Sequence, residues 1–316
     1  MKTQRIAGTP LDVSRIALGC MRLSDDRKEA LASIRAALDQ GINFFDHADV
    51  YGRGQREEVF SAIWKEAPGL RDRIILQTKC GIRLAGDPDE HSVKRYDFSY
   101  ENIMRAVNGS LKRLKTDYVD ILLLHRPDAL VEPEEVARAF TELQNAGKVR
   151  FFGVSNHTGA QIDLLRTAVT QPLVVNQVQL SILHSHLINA GIITNQDMPP
   201  WPVRGEGTLE YCRTHRITIQ AWSPLARGAI TGNPPASAEE RVVKTAALVA
   251  EMAREKKVSR EAIVVAWLLR HPAKIQVIIG TTNPQRIKAC CEADNVILSR
   301  EEWYRLFIAG RGYELP

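Results

Sequence analysis

The chain has 316 residues, of which 44% are hydrophobic and 25% charged, and its formal net charge is +5. These fractions are typical of a soluble globular protein with a large core. No run of five like charges occurs, so the net charge indicates a mildly basic surface and predicts no nucleic-acid partner. Apolar stretches such as residues 121–124 are far too short to span a membrane. Five scattered cysteines and the lack of a signal-like segment in residues 1–10 predict a cytoplasmic location.

The predicted elements alternate between strand and helix along almost the whole chain. In the first unit a short apolar strand is followed by Leu31, Ile34 and Leu38 at helical spacing, and Gly41 fits the left-handed position that ends a helix. The last helix begins at a capping box formed by Ser299 and Glu302. The predicted strands are residues 16–19, 42–45, 74–78, 119–124, 149–154, 173–178, 217–222 and 275–279.

Eight such units predict a closed (β/α)8 TIM barrel that occupies residues 1–316 as one domain, with an extra C-terminal helix. A doubly wound open sheet is the competing fold, but no GxGxxG pattern follows the first strand. Three connections are longer than usual: residues 83–98, 180–207 and 227–237. All three follow strands, so in a barrel they lie on the catalytic face, where long loops are commonly lids or binding loops.

Four titratable side chains lie at the downstream ends of predicted strands: Asp46, Tyr51, Lys79 and His125. A free tyrosine has a pKa of about 10, and a nearby ammonium favours the phenolate and lowers that value. A carboxylate keeps the ammonium charged, and a neutral histidine can orient a carbonyl oxygen. The set therefore predicts a phenol that protonates an oxygen while the carbonyl carbon accepts a hydride.

Several segments resemble motifs of the aldo-keto reductase family, in order and across nearly the whole chain. Residues 46–52 resemble the segment that carries the catalytic aspartate and tyrosine, in the bacterial-type pattern with histidine, alanine and aspartate after the first aspartate. Lys79 resembles the strand-end lysine, and residues 123–128 resemble the histidine segment. Residues 153–156, 176–177 and 222–228 resemble the nicotinamide and pyrophosphate contacts.

The resemblance implies a role for each catalytic residue. Tyr51 would be the general acid, Lys79 held by Asp46 would depress the pKa of the phenol, and His125 would orient the substrate carbonyl. Trp222 would stack on the nicotinamide ring, where the family more often has tyrosine. The implied cofactor-binding residues are Gly19, Met21, Asp46, Ser155, Asn156, Gln177, Trp222, Ser223, Leu225, Arg227, Gly228, Gly280, Thr281, Thr282 and Arg286. Among these, Ser155, Asn156 and Gln177 would hold the nicotinamide carboxamide.

The implied cofactor is NADPH, with NADH possible. Gly280, Thr281 and Thr282 with Arg286 resemble the site for the 2′-phosphate, and a guanidinium suits a phosphate. Many members have lysine where Gly280 stands, and an acid and an amide where Ala289 and Cys290 stand. The preference for NADPH is therefore expected to be less sharp than in members with both charges.

The implied activity is reduction of a small aldehyde or ketone, with no metal, nucleic-acid or membrane partner; the oligomeric state is not predicted. Two other classes stay open. One is a non-catalytic barrel that binds nucleotide as a sensor or partner subunit. The intact set of Asp46, Tyr51, Lys79 and His125 argues against this class. The other is a metal-dependent barrel hydrolase, suggested by the alternating pair His184 and His186. That pair falls in a long loop after the sixth strand, whereas such enzymes are expected to carry it at an early strand.

Overall fold

Eight parallel strands close into a barrel in which strands that are consecutive along the chain are also neighbours in space, and the last pairs with the first. The structure, a computed structural model, describes residues 1–193 and 207–316. The barrel strands are β3 (Ile16–Gly19), β4 (Phe44–Asp46), β5 (Ile75–Cys80), β8 (Val119–Leu124), β9 (Val149–Ser155), β10 (Leu173–Gln179), β11 (Thr218–Trp222) and β12 (Gln276–Ile279). Two antiparallel hairpins accompany them, β1 (Thr3–Arg5) with β2 (Asp12–Ser14) and β6 (Ile82–Arg83) with β7 (Arg95–Tyr96).

Helices follow each barrel strand, so the predicted (β/α)8 barrel is confirmed and the open doubly wound sheet is excluded. The helices are α1 (Arg27–Asp39), α2 (Gln55–Phe60), α3 (Ile63–Glu66), α4 (Tyr100–Leu114), α5 (Pro133–Asn145), α6 (Gly159–Arg166), α7 (His186–Ile192), α8 (Thr208–Thr214), α9 (Glu240–Lys256), α10 (Arg260–Leu269), α11 (Pro284–Cys291) and α12 (Arg300–Arg311). The last of these is the predicted extra C-terminal helix. No helix in residues 1–193 and 207–316 is long and apolar enough to cross a membrane.

The apolar core has two parts. The larger part lies between the barrel and the helices around it. The smaller part lies inside the barrel, where Phe44 and Ile121 pack with Ile6, Leu11 and Val13 of the N-terminal hairpin. The hairpin β1–β2 therefore closes the amino end of the barrel and leaves the carboxyl end for ligands.

Helix termini follow the predicted signals. Ser299 forms a capping box with Glu302 at the start of α12. Gly41 follows α1 with a φ of 78°, which is the left-handed conformation that glycine adopts without strain.

The long connections all leave the carboxyl ends of strands, as predicted. The connection after β5 carries the hairpin β6–β7, and the connection after β11 carries a 3-10 turn at Ala226–Gly228. In the connection after β10, residues 186–192 form α7. Residues 194–206 of that connection, including its proline-rich part, lie outside the described residues.

Candidate active site

The four predicted catalytic residues meet at the carboxyl end of the barrel. Asp46 is the last residue of β4, and Lys79 lies in the neighbouring strand β5. His125 directly follows β8, where its backbone N–H donates to the carbonyl of Cys80. Tyr51 begins a tight 3-10 turn, Tyr51–Gly54, which directs the chain back over the strand ends. The barrel architecture therefore brings together residues that are as many as 79 positions apart (46 to 125).

The Lys79 ammonium is the centre of this group. Its Nζ donates to both carboxylate oxygens of Asp46 at 2.8 Å and to the carbonyl of His47 at 2.8 Å. The same Nζ lies 3.1 Å from the hydroxyl of Tyr51. Lys79 is 1% exposed and Asp46 2%, so the ion pair is shielded from water. A buried charge is tolerated when it is paired and hydrogen-bonded in this way.

Burial sets the direction of the Tyr51 pKa. Desolvation of the phenol raises its pKa above the ordinary value, and the Lys79 ammonium acts in the opposite direction without offsetting it fully. Lys79 therefore lowers the Tyr51 pKa as expected, but burial raises it by more, so the Tyr51 pKa lies above its ordinary value. The reason is tertiary packing, because the sequence does not show how completely the phenol is buried. Tyr51 is consequently protonated at neutral pH, which is the form a proton donor requires.

His125 is held as a neutral imidazole. Burial lowers its pKa well below the ordinary value, and the nearby charges of Lys79 and Arg126 lower it further. Its ring meets that of Tyr51 edge-on, with 5.9 Å between ring centres. Its Nδ1 is buried and has no hydrogen-bond partner among the residues that the structure describes. A neutral ring beside the phenol can orient a carbonyl oxygen without repelling the Lys79 ammonium.

A row of buried glutamines supports Asp46, and sequence analysis did not identify it. Gln77 and Gln177 each donate from Nε2 to Asp46 Oδ1, at 2.6 and 3.0 Å. The same two nitrogens contact Gln220 Oε1 at 2.8 and 3.0 Å. Gln220 then donates to Gln276 at 2.8 Å. Glutamines inside otherwise apolar strands were the only signal in the sequence that could have revealed this network.

The residues predicted for the nicotinamide end form one hydrogen-bonded group. The hydroxyl of Ser155 donates to the carbonyl of Gln177 at 2.8 Å. Asn156 donates from Nδ2 to Ser155 Oγ at 2.8 Å and accepts from Trp222 Nε1 at 3.1 Å. The bond to Asn156 fixes the orientation of the Trp222 ring. The Arg126 guanidinium lies 5.8 Å from the centre of this ring.

The loop after β11 has an unusual backbone that suits an anion. Ser223, Ala226 and Arg227 have φ values of 53°, 45° and 58°, which side-chain-bearing residues rarely adopt. Leu225, with a φ of −87°, directly precedes Ala226, and a right-handed residue followed by a left-handed one turns successive backbone N–H groups into a concave nest for anions. Leu225 and Gly228 complete the loop, and both line the cavity described below.

The start of α11 forms the far end of the site. A side chain at Gly280 would meet no atom within 4 Å, so this position is open. Asn283 caps the helix by accepting from the backbone N–H of Gln285 and Arg286, so those two amides are not free for a ligand. The guanidinium of Arg286 lies 3.4 Å from Glu261, an ion pair that the sequence did not predict.

A single cavity of about 440 Å³ collects these groups. Lys79 lies behind its wall, in contact with Asp46 and Tyr51. All fifteen predicted cofactor-binding residues line it, together with Tyr51 and His125: Gly19, Met21, Asp46, Ser155, Asn156, Gln177, Trp222, Ser223, Leu225, Arg227, Gly228, Gly280, Thr281, Thr282 and Arg286. Arg22 and Arg126 also line it and were not singled out from the sequence.

His184 and His186 contact each other edge-on, with ring centres 4.4 Å apart. They line a separate cavity near the end of α12 and are not part of the Tyr51 site. Within residues 1–193 and 207–316, no cluster of three potential metal ligands is found.

Comparisons with known proteins agree with this geometry. The model of the Aldo/keto reductase family matches residues 15–309. An uncharacterized oxidoreductase, YcsN of Bacillus subtilis (strain 168), is 38% identical over 311 residues, which are 97% of each chain. The 6-dehydroglucose reductase of Agrobacterium fabrum (strain C58 / ATCC 33970) is 37% identical over 318 residues, 99% of each chain. The solved structure of the glycerol dehydrogenase AKR11B4 from Gluconobacter oxydans has a TM-score of 0.82 and 25% identity, covering 98% of this chain and 94% of that one.

The family match begins just before β3 and ends within α12, so it includes every barrel strand and most of the extra helix. Relatives of similar length align over nearly their whole chains, which leaves no large part of the fold unaccounted for. The resemblance inferred from the motifs is thereby confirmed: this chain belongs to the aldo/keto reductase family, oxidoreductases that use nicotinamide cofactors on small carbonyl substrates.

Proposed function

We propose that the protein reduces an aldehyde or ketone to the alcohol, with Tyr51 as the general acid. The observation that carries this proposal is the position of the Lys79 ammonium, 2.8 Å from Asp46 and 3.1 Å from the Tyr51 hydroxyl. A protonated phenol with a cation beside it can release its proton, because the cation stabilises the phenolate that remains. Asp46 keeps that cation charged and fixed in place.

The four side chains have distinct tasks in this mechanism. A bound nicotinamide would supply the hydride to the carbonyl carbon. Tyr51 gives its hydroxyl proton to the carbonyl oxygen as negative charge develops there, and neutral His125 hydrogen-bonds the same oxygen and sets its direction. Lys79 stabilises the Tyr51 phenolate until a proton returns from solvent.

The residues present fit a dinucleotide. Leu225 and Ala226 have the backbone of an anion nest, and the position at Gly280 is open. Ser155, Asn156 and Gln177 would hold the carboxamide, and Trp222 would stack on the nicotinamide ring. We propose NADPH as the preferred form, because Arg286, Thr281 and Thr282 can meet a 2′-phosphate. The ion pair of Arg286 with Glu261 and the missing cation at Gly280 limit this preference.

We also propose that residues 1–316 act as one catalytic domain. In that domain the hairpin β1–β2 closes the amino end of the barrel, and the connections after β5 and β11 begin at the open end. The similarity to a 6-dehydroglucose reductase places sugar-derived aldehydes in the set of substrates worth testing.

A turnover screen tests the proposal directly. Purified protein with NADPH or NADH is given small aldehydes, ketones, dicarbonyls and sugar-derived aldehydes, and nicotinamide absorbance is followed. Oxidation of the cofactor that depends on both the protein and a carbonyl compound is the expected result. Cofactor binding without turnover on any compound would instead favour the non-catalytic sensor or partner subunit.

A further inference from the structure

The cavity that contains Tyr51 carries more positive charge than its acidic groups can balance. Arg22, Arg126, Arg227 and Arg286 line it, whereas Asp46 is the one acidic residue found among its described lining residues. The Asp46 carboxylate already binds the Lys79 ammonium, so it neutralises none of the four guanidinium groups. Of the four, only Arg286 has an ion pair among the described residues, with Glu261. Such a cavity attracts anions, because cations of one sign within low-dielectric walls reinforce each other's field.

The four arginines divide into two pairs by position. Arg227 lies in the nest-forming loop after β11, and Arg286 lies in the first turn of α11, where we expect the phosphates of the cofactor. Arg126 directly follows His125 in the chain. Arg22 ends a 3-10 turn, Cys20–Arg22, that packs against the turn beginning at Tyr51. The second pair therefore lies beside the two residues that would hold the reacting carbonyl.

Neither cation of the second pair is neutralised. Arg22 and Arg126 form no ion pair with any residue in the described part of the chain. The Arg126 side chain is half-buried against the Trp222 ring, at 5.8 Å from the ring centre, which holds the guanidinium at the cavity wall. A positioned, unpaired guanidinium is well suited to a carboxylate or phosphate, which it can bind through two parallel hydrogen bonds.

We propose that the substrate of this enzyme carries an anionic group, a carboxylate or a phosphate, on the carbon chain of its carbonyl, and that Arg126 binds this group with help from Arg22. This inference rests on the proposed carbonyl reduction at Tyr51. It adds that the aldehyde or ketone is negatively charged, and that this charge, more than the length of the carbon chain, determines which substrates the enzyme prefers.

Matched pairs of substrates test it. The value of kcat/KM is measured with NADPH for 4-oxobutanoate and its methyl ester, and for glyceraldehyde 3-phosphate and glyceraldehyde. We expect the charged member of at least one pair to be preferred by tenfold or more, the usual value of a charge-assisted hydrogen bond. The pair with the larger ratio distinguishes carboxylate from phosphate. Equal values within both pairs would overturn the inference while leaving carbonyl reduction itself established.

Variants of Arg126 test whether this residue binds the anionic group of the substrate. Arg126→Gln removes the charge and Arg126→Lys keeps it, and both also change the surroundings of His125 for every substrate. The readout is therefore the ratio of kcat/KM within a pair, which should fall about tenfold in Arg126→Gln and be partly retained in Arg126→Lys. Arg22→Gln should lower the ratio by a smaller factor. A ratio unchanged in both glutamine variants would contradict the assignment.

Two binding measurements separate the remaining explanations. The first is the affinity of each variant for NADPH. If Arg126→Gln binds NADPH more weakly but keeps the kcat/KM ratio between charged and uncharged substrates, Arg126 contacts the cofactor phosphates and the inference is overturned. Binding of succinate, which has no carbonyl to reduce, is measured by calorimetry with NADP⁺ present. Binding that is lost in Arg126→Gln supports the anion site even if no aldehyde is turned over, in which case the proposed function alone fails.

Discussion

Gln77 donates a hydrogen bond of 2.6 Å from its side-chain amide to Oδ1 of Asp46, one strand away in the barrel. An amide at this position gives the carboxylate a donor without adding charge. Gln77→Glu would place a second carboxyl group against Asp46, and two carboxyls at this distance share a proton because both cannot ionise easily. The ion pair between Asp46 and Lys79 would weaken.

We expect Gln77→Glu to lower kcat by at least about tenfold at pH 7, consistent with loss of one charge-assisted interaction. Gln77→Leu is the matched control, because it removes the hydrogen bond without adding a carboxyl, and its loss should be smaller. Steady-state kinetics and a circular dichroism spectrum of each variant make the comparison. Equal losses in the two variants would contradict the prediction, because the added carboxyl would then have no effect beyond the lost hydrogen bond.

Replacing the Tyr51 hydroxyl by hydrogen tests the general acid. Tyr51→Phe keeps the ring that meets His125 edge-on but removes the proton donor. We expect kcat to fall by at least about 10²-fold, the usual scale of general acid catalysis, with little change in cofactor affinity. Kinetics and a fluorescence titration with NADPH measure the two effects. Near-normal turnover in the variant would exclude Tyr51 as the acid.

The Trp222 side chain offers a test that separates stacking from hydrogen bonding. Trp222→Ala removes both the ring and the 3.1 Å hydrogen bond to Asn156, whereas Trp222→Phe removes the hydrogen bond and keeps an aromatic face. We expect the alanine variant to bind NADPH more weakly by roughly 1 kcal/mol, the scale of an aromatic stacking contact. The phenylalanine variant should bind at close to wild-type affinity. If both variants bind NADPH as tightly as the wild type, the ring does not contact the cofactor.

Cofactor choice depends on Arg286. A charge-assisted contact to a 2′-phosphate is worth about 1.5–3 kcal/mol, or roughly ten- to a hundredfold in affinity. Arg286→Ala should therefore weaken NADPH by that factor and leave NADH nearly unaffected. Glu261→Gln removes the acid that now lies 3.4 Å from Arg286, so it should strengthen NADPH binding. Titrations of both cofactors decide it: equal losses for NADPH and NADH in Arg286→Ala would show that this residue does not contact the 2′-phosphate.

Buried His47 should make the protein less stable in acid. Burial, with a smaller effect of Lys79, lowers the pKa of His47 to about 3. In the unfolded chain its pKa is about 6.5, so between about pH 6.5 and 3 the unfolded state binds more protons and stability falls as the pH falls. In this range the free energy of unfolding changes by about 1.4 kcal/mol per pH unit, so the His47 titration lowers it by about 2 kcal/mol at pH 5.

His47→Thr removes this titration and replaces the imidazole with a smaller polar side chain that does not titrate. We expect the free energy of unfolding to decrease between pH 7.5 and 5.0 by about 2 kcal/mol less in the variant than in the wild type. Urea denaturation at both pH values measures it. Other buried histidines, such as His157, contribute equally to both proteins and cancel. An identical pH dependence in the two proteins would contradict the prediction.

Short apolar runs made the barrel predictable. β3 and β8 have the predicted bounds because a largely apolar segment fits a buried parallel strand. Asp120, the one charged residue in β8, is buried and paired with Arg71 and Arg150. The N-terminal hairpin was missed because β1 has only three residues, Thr-Gln-Arg, with no apolar alternation. That Asp46, Tyr51, Lys79 and His125 lie together was predictable from motif order, since strand ends of one barrel share a face, and their catalytic roles stay a prediction.

The parts of the site that escaped prediction depend on tertiary contacts. Contact between α10 and α11 brings Glu261 to Arg286, and no sequence pattern links the two residues. The upward direction of the Tyr51 pKa depends on how deeply the phenol is buried, which spacing does not reveal. The bond between Gln77 and Asp46 likewise joins two strands whose relative register is known only from the fold.

The glutamine row continues beyond the catalytic end, because Gln276 donates at 2.9 Å to the backbone carbonyl of Ser14 in the N-terminal hairpin. An unbroken path of hydrogen bonds thus joins the catalytic carboxylate to the opposite mouth of the barrel. Hydrogen bonds linked in series polarise one another. We therefore expect substitutions in the hairpin to change the polarisation of the Asp46 carboxylate without altering the cavity walls, which would give protein engineers a second place from which to adjust the site.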